Sequence, residues 1–274
     1  MPQAALAPRD RSRLSGVRPG AVELVRFSPP GWMLGEGWAI TPEIGGQSER
    51  AGAGPHRRPA IAWVRARAAA ATMLIGGRNL GAAGTGDATI TIRAGERVVS
   101  TFAAPPGTFL QRWELPAGAL SGPEAWVPLA VTAAPAGAGE VRVGLEQFDL
   151  QPAGVPMLGY TDGWQEPEYE PAGGRRWRWM SERAHLWVRD VGRDLTLELT
   201  GESPLRYFDA APTVRVSLGG QPLAQFSPSD DFSQVIRIPA APLAGGGQEL
   251  LLDSDRSFVP GGGAQLHLAL RVYA

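Results

Sequence analysis

The chain has 274 residues, a net charge of −1 and no cysteine. It lacks the basic excess that binding to a phosphate backbone requires, so the composition argues against a nucleic-acid partner. The missing thiols exclude disulfide bonds, thiolate catalysis and cysteine-based zinc sites. Glycine (36) and proline (25) together exceed a fifth of the residues, which favours many short strands joined by tight turns. All 26 basic residues are arginine, a bias typical of a GC-rich bacterial genome.

The N-terminal residues 1–19 contain no apolar core long enough for a signal peptide, and we expect them to form a flexible arm. No stretch of the chain approaches the ~20 apolar residues of a membrane helix. The sequence thus predicts no transmembrane segment. The chain as written would be cytoplasmic, and it would be periplasmic or extracellular as part of a longer exported protein.

An internal repeat organises the rest of the chain, with an offset of 123 to 125 residues between matching blocks. The best-matched pairs of blocks are Gly31–Gly35 with Val155–Gly159, Ala62–Arg65 with Leu186–Arg189, Thr89–Ile92 with Thr213–Val216, and Val141–Leu145 with Leu266–Leu270. Such a constant offset predicts a tandem duplication. We place the first copy at residues 20–150 and the second at residues 151–274.

Within the matched blocks, polar and apolar residues alternate, as in Thr89–Arg93 and Asp194–Leu199. This period of two indicates half-buried antiparallel strands. Ala66–Met73 would score as helix on propensity, but its counterpart in the second copy carries a Val-Gly turn, so we predict strand-turn-strand. The fold class is therefore all-β, with two tandem jelly-roll-like β-sandwich domains; an immunoglobulin-like topology is the alternative.

Aromatic and charged residues gather around a Gly-Trp loop that both copies share. Exposed Trp and Tyr rings beside Arg and Glu suit a sugar, because a flat ring stacks on a pyranose while charged groups bind its hydroxyls. The candidate ligand-binding residues are Trp38 and Glu43 in the first copy and Tyr160, Trp164, Glu168, Tyr169 and Arg176 in the second. The alternative is a structural plug, since aromatic rings usually lie in cores. In that case the alternating Trp177 and Trp179 would both point into the sandwich.

Clustered aspartates are the candidates for a metal site. Calcium takes oxygen ligands from loops, and the residues that would hold it are Asp230 and Asp231, and Asp253 and Asp255. The alternative is a turn in which these side chains bond their own backbone. A structural calcium ion is thus the one cofactor that the sequence suggests, and no catalytic residue is proposed, because the three histidines fit no catalytic or zinc-binding spacing.

The second copy resembles a known kind of module on three motifs: Gly163-Trp164 followed by Pro167-Glu168, the run Arg176–Trp179, and Phe258–Pro260. These motifs are similar to those of β-sandwich accessory modules in bacterial proteins of surface-polysaccharide metabolism, some of which are fused to membrane glycosyltransferases. The likeness covers about residues 165–272. The present chain differs in carrying Gly261–Ala264 where such modules have Asp-x-Arg. The resemblance implies a non-catalytic accessory or binding role.

Three kinds of function remain open on these grounds. The first is a non-catalytic tandem sandwich that binds a glycan or a protein partner in bacterial cell-envelope glycan metabolism. The second is a structural spacer or assembly subunit without a small-molecule ligand, which would need a large apolar patch or an oligomer interface. The third is a glycan-cleaving enzyme, which would need two carboxylates facing each other in a cleft.

Overall fold

The computed structural model describes residues 31–38, 54–55, 57–81, 86–122, 124–137, 140–170, 175–261 and 266–273, and the Tyr169 side chain is not among the described parts. These ranges hold 18 β-strands and two short 3-10 helices. None of the described helices is long and apolar enough to cross a membrane. The prediction of an all-β chain with two tandem sandwiches is confirmed.

The first sandwich consists of two antiparallel sheets that enclose one apolar core. Its strands are β1 (Trp32–Leu34), β2 (Ala60–Arg65), β3 (Ala71–Asn79), β4 (Ala88–Ala94), β5 (Arg97–Ala104), β6 (Gly107–Leu115), β7 (Trp126–Pro135) and β8 (Val143–Pro152). One sheet has the order β1-β2-β7-β4-β5 and the other β6-β3-β8. Alternate side chains fill the core, such as Ile90 and Ile92 of β4. The alanine-rich Ala66–Met73 contains a bend after β2 and then the start of β3, as the predicted strand-turn-strand requires.

The second sandwich repeats this plan. Its elements are β9 (Leu158–Tyr160), β10 (Glu168–Glu170), β11 (Arg175–Met180), β12 (Arg183–Val188), β13 (Leu195–Glu202), a 3-10 helix (Leu205–Tyr207), β14 (Val214–Leu218), β15 (Gln221–Phe226), β16 (Asp231–Ile238), a 3-10 helix (Ala241–Leu243), β17 (Gln248–Ser254) and β18 (Leu270–Tyr273). The sheets have the orders β15-β14-β17-β12-β9 and β10-β11-β18-β13-β16.

The order of these strands identifies a jelly roll. Counting β11 to β18 as strands one to eight, the first sheet contains strands two, seven, four and five, and the second contains one, eight, three and six. Two four-stranded sheets wound in this way form the double Greek key of a jelly roll. The topology therefore favours the first of the two predicted sandwich types over the immunoglobulin-like one.

The duplication is visible in the pairing itself, because β2 to β8 and β12 to β18 occupy the same places in their sheets. One stretch departs from the offset read from the sequence. Trp32 pairs with Val64, and Leu158 pairs with Val188, so β1 and β9 correspond at 126 residues rather than 124. The shift of two residues keeps each side chain on the same face of its sheet.

The two sandwiches pack directly against each other through an apolar cluster. Leu74 of β3 is buried on the outer face of its sheet, together with Met157 and Trp187 from the second copy, and Leu110 of β6 covers them. Gly159 of β9 lies so close that an added Cβ would come within 2.6 Å of Leu110 Cδ2. Because β3 buries one face in its own sandwich and the other against its neighbour, almost the whole strand is buried.

A buried ionic triad joins the same two surfaces. Glu146 of β8 accepts hydrogen bonds from Arg78 of β3 at 3.1 Å and from Arg178 of β11, in the other sandwich, at 2.7 Å. Only 7% of the Glu146 side chain and 5% of the Arg178 side chain are exposed. Arg78 also donates to the carbonyl of Trp164, and Arg178 to that of Gln165. The guanidinium groups thus bind the Gly-Trp loop of the second copy to the first copy.

Candidate functional site

The two tryptophans of the Gly-Trp loops occupy matching positions inside the two sandwiches. Trp38 and Trp164 are each 4% exposed. The Trp38 indole N–H donates to the carbonyl of Ile61 at 2.8 Å, and that of Trp164 donates to the carbonyl of His185 at 2.7 Å. Both rings therefore hold a loop against the same strand of their own sandwich, and neither presents a face to a ligand in this structure. Glu43, predicted beside Trp38, lies outside the described residues.

Tyr160 belongs to the contact between the sandwiches. Its ring meets Trp164 edge to face at a centroid distance of 5.0 Å, and the Arg178 guanidinium lies 4.6 Å from the ring centre. Burial raises the pKa of the Tyr160 hydroxyl, and the positive charge of Arg178 opposes that rise in part. The Gln147 amide binds both the N–H and the carbonyl of the Tyr160 backbone. A ligand role for Tyr160 stays a prediction; its observed contacts are structural.

Glu168, Tyr169 and Arg176 lie on the pair of strands β10 and β11. Glu168 faces Trp177 across the pair, and Tyr169 faces Arg176. The Trp177 indole N–H donates to Glu168 Oε2 at 2.7 Å, which fixes the ring against its neighbouring strand. Glu168 is thus a predicted ligand-binding residue in direct contact with a partly exposed tryptophan. The side chain of Tyr169 lies outside the described part of the chain.

Trp177 and Trp179 point to the outer face of the second sandwich. They alternate along β11 as predicted, but the residue of this strand that enters the core of the sandwich is Met180. Trp177 is partly exposed, whereas Trp179 is buried against Phe258, so the plug hypothesis describes Trp179 only in its burial and not in its direction. The guanidinium of Arg271 on β18 lies 4.9 Å from the centre of the Trp177 ring and 4.7 Å from that of Trp179. The cation thus contacts both rings, a cation–π arrangement that holds them in place.

Tyr273 extends this aromatic surface to the end of β18. It lies directly opposite Trp177, and its hydroxyl donates to Asp231 at 3.2 Å. Arg271 also pairs with Glu202 of β13 at 2.8 Å. We call the outer surface formed by Glu168, Trp177, Arg271, Tyr273 and Glu202 the Trp177 face. It combines partly exposed rings with both signs of charge on rigid strands.

The four aspartates proposed for calcium do not form one cluster. Asp231 begins β16, with Asp230 just before it, whereas Asp253 lies on β17 of the opposite sheet. Asp255 accepts a hydrogen bond from the backbone N–H of Thr213 at 2.7 Å. Over the described ranges, no three His, Asp or Glu side chains come close enough together to hold a metal ion. The calcium site stays a prediction.

A cluster of Ser257, His267 and Glu182 was not foreseen from the sequence. The Ser257 hydroxyl donates to Glu182 Oε1, and His267 Nδ1 lies 3.2 Å from the same oxygen. Hydrogen bonding from Ser257 lowers the pKa of Glu182, and His267 adds to the effect. His267 Nδ1 also faces Ser257 at 3.4 Å. A hydrolytic triad uses separate ring nitrogens for the serine and the acid, so this cluster is not arranged as one.

Comparison with known proteins adds an architectural likeness. No family model and no curated protein matches the chain. Among solved structures, it is similar to the CBM22-1–CBM22-2 tandem domain of Xyn10C from Paenibacillus barcinonensis, at 10% identity and a TM-score of 0.26, over 90% of this chain and 94% of that one. It is also similar to the M60 catalytic domain with CBM51-1 and CBM51-2 of ZmpB from Clostridium perfringens, at 7% identity and a TM-score of 0.24, over 78% and 33%. Similarity of this degree says nothing about a ligand.

Proposed function

We propose that the chain is a non-catalytic carbohydrate-binding protein that holds a glycan on the Trp177 face. The observation that carries the proposal is the state of Trp177 itself. Its ring is only partly buried, its N–H is already bound by Glu168, and Arg271 holds it from one side. A tryptophan held in this way loses little conformational entropy when a sugar ring stacks on it.

The rim of the Trp177 face supplies the polar groups that a sugar needs. Hydroxyl groups both donate and accept hydrogen bonds, and Glu202, Asp231 and the exposed Arg175 offer acceptors and donors around the rings. All of these groups lie on strands, so their spacing is fixed before a ligand arrives. Because Trp177 of β11 and Tyr273 of β18 lie directly opposite each other, both rings belong to the same outer face of the sheet.

The biological setting is proposed from sequence resemblance. The motifs on which the second copy resembles bacterial surface-polysaccharide modules include Arg176–Trp179, the run that contains Trp177. Cell-envelope glycans are therefore the first ligands to test, and the chain would act as an accessory part that brings such a glycan to a partner protein.

A structural spacer is the second candidate, and the buried triad around Glu146 favours it. The triad and the Leu74 cluster fix one sandwich against the other, as a rigid connector would need. This function does not require the Trp177 face to bind anything. The two candidates therefore differ in whether a glycan binds there.

A glycan array with immobilised bacterial surface polysaccharides tests the proposal on wild type and Trp177→Ala. Loss of the stacking surface is expected to weaken binding about tenfold or more. Trp126→Ala is the matched control, because Trp126 of β7 is also partly exposed but lies in the first sandwich. Equal losses of binding in both variants, or no glycan bound by wild type, would reject glycan binding at the Trp177 face and leave the structural spacer as the remaining candidate.

A further inference from the structure

A second cleft lies where the two sandwiches meet, away from the Trp177 face. It has a volume of about 420 Å³, within the ~300–1,000 Å³ of typical small-molecule sites. The first copy contributes Thr72, Arg112 and Glu114, and the second contributes Trp187, Arg189, Asp190 and the glycine turn 245–247. The cleft exists only because both copies are present, since neither copy alone provides both walls.

The indole of Trp187 carries an unused hydrogen-bond donor at this cleft. Trp187 is 5% exposed, and its Nε1 is buried without a hydrogen-bond partner among the described residues. The equivalent donors of Trp38 and Trp164 both bind backbone carbonyls. A buried donor left unpaired is costly, so a group that arrives to accept from it gains more than an ordinary hydrogen bond.

The glycine turn controls access to that donor. A Cβ added to Gly247 would come within 2.8 Å of Trp187 Nε1, so the bare backbone of the turn closes over the indole. Gly245, Gly246 and Gly247 all have positive φ, at 102°, 118° and 111°. Three glycines in this conformation tolerate a change of backbone angles that other residues would resist. A ligand can therefore displace the turn at low cost and reach the N–H.

The charges around the cleft indicate the kind of ligand. Arg112 lies over the Trp187 ring at 4.4 Å, and Arg189 stands on the same wall as Asp190. Glu114 is held by the Thr72 hydroxyl at 2.7 and 2.8 Å. Two cations and two anions give the cleft no net formal charge that would favour a charged molecule. Their mixed donors and acceptors match neighbouring hydroxyl groups, each of which both donates and accepts.

We propose that this cleft binds a neutral sugar of one or two units, with a hydroxyl oxygen accepting from Trp187 Nε1 and other hydroxyls donating to Glu114 and Asp190. The proposal rests on the proposed function in so far as both sites bind sugars, but the residues are separate. The glycan on the Trp177 face and the sugar in the cleft would then be bound independently of each other.

Indole N–H signals in two-dimensional 15N NMR spectra test the proposal on the whole chain. The nine tryptophans give up to nine such signals, and Trp187→Phe and Trp177→Phe identify two of them by loss of a peak. Maltose, cellobiose, lactose and xylobiose serve as neutral probes, with glucuronic acid and glucosamine as charged ones. We expect a neutral disaccharide to shift the Trp187 signal.

Affinity measurements on isosteric variants complete the test. Glu114→Gln and Asp190→Asn keep the shape of the cleft, and each is expected to weaken binding of the neutral probe about three- to tenfold, whereas Trp126→Phe, at a partly exposed tryptophan outside both proposed sites, leaves it unchanged. If a disaccharide shifts the Trp177 signal and leaves the Trp187 signal unchanged, the sugar site in the cleft is rejected and the site on the Trp177 face is supported. If both signals stay still with every disaccharide, the cleft is rejected, while the glycan array judges the Trp177 face independently.

Discussion

Replacing Glu146 by glutamine removes the one negative charge that two arginines share between the sandwiches. Arg178 is almost fully buried and Arg78 largely so, and neither can turn to solvent without breaking its bond to the Gly-Trp loop. Removing one partner from a buried ion pair costs about 3–5 kcal/mol, because the remaining charge is left without compensation. Arg178 keeps its backbone carbonyl acceptors, at Gln165 and at position 146 itself, so we expect the lower end, about 3 kcal/mol.

Urea unfolding followed by tryptophan fluorescence measures this loss. With a urea dependence of about 3 kcal/mol per molar, the transition midpoint should fall by about 1 M in Glu146→Gln. Glu198→Gln is the control, because Glu198 bonds Ser233 on an exposed face, and its effect should stay within about 0.5 kcal/mol. A Glu146→Gln midpoint within about 0.2 M of wild type would show that the triad does not hold the sandwiches together as described.

Two further predictions concern a loop glycine and a buried tyrosine. Gly163→Ala should lower the free energy of unfolding by at least about 2 kcal/mol more than Gly192→Ala, measured by thermal or urea unfolding. Both glycines have positive φ, but a Cβ at position 163 would lie 1.8 Å from the Arg183 carbonyl oxygen, whereas one at position 192 would meet nothing within 4 Å. Equal losses in the two variants would contradict the contact at position 163. Folding raises the pKa of Tyr160 above 10.0, its ordinary value in the unfolded chain. The neutral hydroxyl therefore contributes fully to the free energy of unfolding below pH 10.0, and this contribution falls as the pH rises above that value. In an ultraviolet titration Tyr160→Phe should lose one tyrosine that ionises above pH 10.0, so the absorbance change above that pH should be smaller than in wild type; an unchanged curve there would refute this.

Much of the fold could be predicted because it is repeated. A period of two in each block and a constant offset between blocks predict strands and their duplication. The shared tryptophans, Trp38 and Trp164, also follow from the repeat, since residues common to both copies serve the common fold. Their structural role is now visible in matching indole-to-carbonyl hydrogen bonds.

The two proposed sites could be predicted less well. Alternation places Trp177 and Trp179 on one face of β11, but only the positions of neighbouring strands decide whether that face meets core or solvent. The triad is harder still, because Arg78, Glu146 and Arg178 are distant in sequence and come from two domains. Glu146 is also no sequence signal by itself, because β8 carries a second acid, Asp149, and two glutamines.

The contact between the sandwiches has a direction, because each copy contributes a different surface to it. The outer face of β3 in the first copy receives the β9 edge of the second, so the contact is head to tail, a type that can in principle continue from copy to copy as a filament. On the corresponding face of the second copy, Glu198 stands in the place of Leu74, and Ser233 in that of Leu110. A third sandwich would find a hydrogen-bonded polar pair there instead of an apolar socket. The second copy thus does not repeat the apolar socket of the first, and the outer face that lacks it is the one that carries Trp177.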